Sequence, residues 1–141
     1  MANDPIQKLR EAIVAVLDAH ADVAAITGRA TENVVAWGNL GAVGIETKQA
    51  GLIAYHFIVS PEVAADQKPQ RPVIQFGAVA AEESIANELI GVIARIDAKD
   101  FLALVPPLDA HVTNRVRRSA PTDDEGIARA DIDITLQIHF P

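Results

Sequence analysis

Asp131 and Asp133 stand two apart in the run ARADIDITLQIHF, and His139 continues the same alternation. On a strand, alternate side chains share a face. This spacing therefore lines up two carboxylates and an imidazole, an arrangement suited to acid and base work or to holding a cation. The plainer reading is a solvated or interfacial strand face, because no third acid or histidine is placed by spacing to complete a centre. The histidines His20, His56, His111 and His139 are scattered, with no pair at the i, i+4 spacing of helical metal ligands. Ser60, Ser84 and Ser119 lie in no G-x-S-x-G elbow. Gly38, Gly41 and Gly44 match neither the dinucleotide fingerprint nor the P-loop, and they read as loop glycines. The chain has no cysteine, which removes thiolate chemistry, disulfides and the usual structural zinc sites. No catalytic residue, cofactor or metal site is assigned, and a non-enzyme is expected.

The densest charge lies in RVRRSAPTDDEG, where Arg115, Arg117 and Arg118 precede Asp123, Asp124 and Glu125. Arg115 and Arg117 share one strand face and Arg118 takes the other. A nucleic-acid grip is a weak reading, since three arginines beside three acids in a chain of net charge -7 offer little net attraction to phosphate. A solvated surface is one alternative. The other is a subunit contact, in which the basic strand face of one copy meets the acidic turn of the next; such a head-to-tail interface closes into a ring when its rotation permits. Complementary charge would then set register and partner choice more than raw affinity. Trp37, the only tryptophan, either folds back onto the core or serves as a partner contact, because tryptophan is enriched among residues that anchor interfaces.

These residues need a frame to hold them. Asp4 and Pro5 form a helix start, and Ile6, Leu9, Ile13, Val16, Leu17 and Val23 follow as one stripe until Gly28. Gln7, Lys8, Arg10, Glu11 and Asp18 take the other side, and Asp22 is placed to cap a second short turn through Ile26. Residues 29–51 carry Trp37 and four glycines without clear periodicity and read as an extended loop or irregular strand. LIAYHFIVS (52–60) and PVIQFGAVA (72–80) are apolar nearly throughout, as strands covered on both faces are. The segment 61–72 between them, with three prolines, reads as a surface connection. Glu82 and Glu83 suit the start of a second helix, from about 81 to 99, with Ile85, Leu89, Val92, Ile93 and Ile96 as its buried stripe. After Pro106 and Pro107, HVTNRVRR (111–118) and residues 130–140 form a hairpin around the turn APTDDEG. In its returning arm Ile132, Ile134, Leu136, Ile138 and Phe140 face one way, and Asp131, Asp133, Thr135, Gln137 and His139 the other. The expected fold is α+β: two helices on one face of a mainly antiparallel sheet of about four strands, in the order α-β-β-α-β-β.

The 141 residues have the size of a single domain, 1–141. No stretch reaches the ~18 uninterrupted apolar residues of a membrane helix, and MANDPIQKLR lacks the apolar core of an export signal. A soluble protein is expected. Six aromatic residues are few with which to wall a small-molecule pocket.

The succession DPIQKLREAIVAVLDAHADVAAITG, GLIAYHFIVS, PVIQFGAVA, EESIANELIGVIARI and ITLQIHF resembles the tail-completion or tail-terminator proteins of long-tailed bacteriophages, over nearly the whole chain and through order, length and texture. The resemblance implies a structural virion protein that forms a ring, typically hexameric, at the head-proximal end of the tail tube. It would end tube growth and join tail to head, at the head-tail junction of the virion, after assembly in the host cytoplasm. The implied partners are other copies of the chain, the tail tube protein and a head-completion or neck protein. DNA would pass through the lumen without specific binding, which an acidic lining favours. No catalytic residues carry over. The longer loop 29–51 and the proline-rich connection 61–72 depart from the family's texture. They fit either a particular neighbour or a related role, such as a head-side neck ring, a baseplate component or another connector protein. A non-catalytic protein-binding module remains the other alternative.

Overall fold

The helical stripe of the N-terminal segment is realised as two helices. In the computed structural model, which describes residues 5–59, 72–96, 109–120 and 126–139, α1 (Pro5–Asp18) buries Leu9, Ala12, Ile13 and Leu17 along one side. The chain breaks at residues 19–20, and α2 (Ala21–Thr27) begins anew, burying Val23 and Thr27. The cap of α2 is His20, whose Nδ1 accepts from the Asp22 main-chain N–H at 3.2 Å; Asp22 itself lies inside the first turn. Gly28, at φ 78°, closes α2 in the left-handed conformation that glycine adopts without penalty, and its N–H donates to the Ala24 carbonyl.

The sheet has five strands, β1 (Val34–Ala36), β2 (Leu52–Val59), β3 (Val73–Ala80), β4 (Asp109–Ala120) and β5 (Ala128–His139), in the spatial order β1-β2-β3-β5-β4. Four neighbouring strands pair antiparallel, as the hairpin pattern predicts, while β1 adds a parallel edge to β2. The fold is α+β, with one strand more than the sequence pattern resolves. A parallel partner needs a crossover, and residues 37–50 provide it as a 3₁₀ turn (Trp37–Ala42) followed by α3 (Ile45–Ala50). The expected loop at 29–51 is thus largely regular structure. Its period is three rather than two or 3.6, because side chains three apart eclipse on a 3₁₀ helix: Leu40 and Val43 pack with Val35 against Leu52, Val79 and Ile127.

Both faces of the sheet therefore carry something. On one, α1, α2 and α4 (Glu83–Ala94) cover Ile53, Tyr55, Ile74, Phe76, Ile132, Ile134 and Leu136 with Leu9, Ile13, Leu17, Leu89, Ile90 and Ile93. On the other, the crossover lies over one end of β1, β2 and β3. The two helices expected from the sequence share one face, and the crossover adds α3 on the other. This arrangement explains why β2 and β3 are apolar nearly throughout: Leu52 and Val79 point to the crossover while Ile53 and Ala78 point to the helices.

A buried polar hub ties the first helices to β1. The Asp18 carboxylate accepts main-chain N–H bonds from Glu32 (3.2 Å), Asn33 (2.7 Å) and Val34 (3.2 Å). Asn33, fully buried, donates through Nδ2 to the Asp18 and Arg29 carbonyls and accepts at Oδ1 from the Thr27 hydroxyl at 2.8 Å. Asp18 is half-buried at this joint, not a residue of the solvent side of α1.

Candidate functional site

The face of the sheet opposite the helices carries the polar chemistry, and strand register assembles it. His56 on β2, Gln75 on β3 and Asp133 on β5 form one cross-strand row; Ala54, Gly77 and Asp131 form the next. His56 Nε2 and Gln75 Oε1 lie 2.6 Å apart, a hydrogen bond across the two strands. Arg129 and Asp131, two apart on β5, make an ion pair with Nε 2.8 Å from Oδ1.

Trp37 sits among these groups. Leaving β1 at the start of the 3₁₀ turn, it turns its indole back onto the sheet over Gly77. A Cβ at Gly77 would lie 2.7 Å from Trp37 Cζ3 and 2.9 Å from Cη2, so only glycine leaves room for the ring. His56 stacks on the indole, with ring centroids 4.5 Å apart and planes inclined by 24°. The Arg129 guanidinium lies 4.1 Å from the indole centroid, within cation–π range, while its Nε holds Asp131. Of the two alternatives for Trp37, the structure favours folding back: the ring is half-buried and already has neighbours.

The charged residues singled out from sequence lie at the far edge. β4 pairs with β5 alone among the described residues, which makes it an edge strand. Arg115 and Arg117 share a face and are exposed; they stand opposite Ile134 and Ile132 in register, hence on the helix-bearing side. Arg117 Nη2 reaches the Asn87 carbonyl on α4 at 3.4 Å. A shift of register between Val112 and Asn114 decides this side, because it puts Val112 and Arg115, an odd number of residues apart, on the same face. Arg118 is the register partner of Asp131. Asp123, Asp124 and Glu125, the acidic half of the expected contact, lie outside the described residues.

Asp131 and Asp133 do share a face, as their alternation requires, but they occupy different environments. Asp131 is taken up by Arg129, and Asp133 stands beside Gln75 in the row that ends at His56. His139 pairs with Asp109 at the end of the ladder. Among the described residues no three His, Cys, Asp or Glu side chains gather as metal ligands would, and no helix is long and apolar enough to cross a membrane. The sequence reading missed Arg129, His56, Gln75 and Gly77 as members of one cluster. The available signal was Gly77, a lone glycine inside an apolar strand, which marks a close approach by another part of the chain.

Comparison with known proteins adds no relative: no protein-family model matches the chain, and no curated protein does.

Proposed function

We propose that the chain is a structural subunit of a phage tail: a ring-forming tail terminator that ends tube growth at the head-proximal end and joins tail to head. One observation carries the reading. β4 is a twelve-residue edge strand, with exposed Arg115 and Arg117 and an exposed Val116 (41%) on its two faces. Among the described residues no strand borders the outer side of β4, and an open strand edge invites pairing with another chain. Exposed cations on a chain of net charge -7 favour an acidic neighbour, and another copy of this chain is one. The resemblance in order and texture to tail-completion proteins supplies the setting, the tail tube and a neck protein as further partners, and a lumen through which DNA passes unbound.

Light scattering at low and high salt tests the ring. A mass of about six subunits that falls as salt screens the contact supports the proposal. Charge reversal at Arg115 and Arg117 should shift the mass toward monomer, and unchanged assembly removes β4 from the interface. Offering the protein to tail tubes and to tailless heads separates the neighbouring roles. Binding to tube ends supports a terminator, binding to heads alone assigns a head-side neck ring, and a monomer that binds neither overturns both.

A further inference from the structure

The opposite edge of the sheet carries a second interaction surface. β1 pairs with β2 only as far as Ala36 and Tyr55, after which the chain turns away at Trp37, while β2 runs on to Val59. Along that remaining length no strand borders the outer edge of β2 among the described residues. The Ile53 N–H points to the β1 side, where it donates to the Asn33 carbonyl at 2.9 Å. Main-chain groups two and four residues on repeat that direction, so the N–H and C=O of Phe57 face the uncovered edge. The β2–β3 ladder stays in regular register through Phe57 and shifts only beyond it.

Side chains turn this edge into a groove. Its floor is Tyr55 and Phe57, one end is closed by Trp37, and the far wall is α1, through Arg10 and Val14. The part nearest Trp37 is a hollow of about 210 Å³. The Arg10 guanidinium stands 5.5 Å from the centroid of the Phe57 ring and pairs with no carboxylate among the described residues. Glu11, the nearest acid on the helix, accepts instead from Gln7 Nε2 at 3.4 Å. Ile58, beside the groove on the outgoing strand, is 49% exposed.

We propose that this groove takes an extended acidic peptide from a partner protein, which adds to the sheet along β2 in line with β1. A strand-and-helix groove with open main-chain groups recognises an extended chain through backbone hydrogen bonds, and its pockets select alternate side chains. On the side of the added strand that faces α1, an apolar side chain packs on Tyr55 and Val14, and a carboxylate two residues away meets Arg10 beside Phe57. The occupant is thus an extended segment with apolar and acidic residues two apart on one face. This inference stands independently of the ring, which uses the other edge.

The test is titration of the full chain with a blocked synthetic peptide of about eight residues repeating Val-Thr-Glu-Thr, which puts valine and glutamate on one face, with Val-Thr-Lys-Thr as control. Trp37, the only tryptophan, reports occupancy through its emission, and hydrogen exchange read by NMR reports the Phe57 amide. The expected result is a saturable emission change with the glutamate peptide, slowed exchange at Phe57, and affinity about tenfold weaker in Arg10→Glu with an unchanged circular dichroism spectrum. Binding equal for both peptides, binding that leaves the Phe57 amide unprotected, or affinity unmoved by both Arg10→Glu and Arg10→Gln overturns the assignment. So does the absence of binding up to millimolar peptide, the result if another copy or another segment of this chain already fills the groove.

Discussion

Replacing Gly77 by alanine adds one methyl group and should unseat the only tryptophan. The new Cβ would stand 2.7 and 2.9 Å from Trp37 Cζ3 and Cη2, against the ~3.5–4.0 Å of ordinary carbon contacts, so the indole has to move by about 1 Å. Such overpacking costs about 1–3 kcal/mol. Movement also weakens the Arg129 cation–π contact and the His56 stack, each worth about 0.5–1 kcal/mol at a partly exposed site. Opposing this, alanine in place of a strand glycine gains up to about 1 kcal/mol. The balance is a loss of about 1–4 kcal/mol, read as a lower denaturation midpoint by far-UV circular dichroism at unchanged m, with red-shifted Trp37 emission in the native baseline. The decisive step is the double-mutant cycle: in a Trp37→Ala background, where only the Asp131 Oδ1 contact at 3.0 Å is left, Gly77→Ala should cost clearly less. Unchanged emission and midpoint in the single variant, or the same loss in both backgrounds, would refute the packing of Trp37 on Gly77.

Two further outcomes follow from other parts of the fold. Asp18→Ala removes the acceptor of three main-chain N–H groups at the joint between α1 and β1, and hydrogen bonds to a charged acceptor are worth enough that denaturation should show a loss of about 2–3 kcal/mol. A midpoint within error of the parent would mean that water replaces the carboxylate there. Burial pushes the Tyr55 phenol up from its usual value of 10.0, with the Arg10 charge pulling the other way. The folded state therefore favours the neutral phenol, so its contribution is fully present below pH 10 and is lost as pH rises above it. Thermal unfolding should show a decline above that pH which is reduced in Tyr55→Phe; identical alkaline profiles would place the sensitivity elsewhere.

The long periodic elements could be read directly from sequence, because each buries one face of its own. The stripe Leu9, Ile13, Leu17 and the alternation Ile132, Ile134, Leu136 are both fully buried, as their spacing requires. What stayed hidden was non-local or too short to repeat. Three residues of β1 make no pattern, and the 3₁₀ spacing of Trp37, Leu40 and Val43 fits neither the strand nor the α-helix template. Asp18 looks like any solvent-side carboxylate until the loop it caps folds back on it. For the charged edge, alternation correctly gives Arg115 and Arg117 a common face, but the bulge after Val112 chooses which one, and a bulge has no period. The Trp37 cluster draws members from the crossover, β2, β3 and β5, which only the strand order brings together.

That strand order also governs when the core can close. β5 follows every other strand in sequence but lies between β3 and β4, so β4 has no place in the sheet until β5 has been made. Until then Leu89, Ile90 and Ile93 of α4 lack the Ile132 and Ile134 surface they cover in the finished molecule, and the β3 edge lies bare. A nascent chain emerging from the ribosome would carry this unfinished apolar surface from the completion of α4 until β5 is made, and closure of the β3–β5 ladder is the late, long-range event that commits it to the native topology.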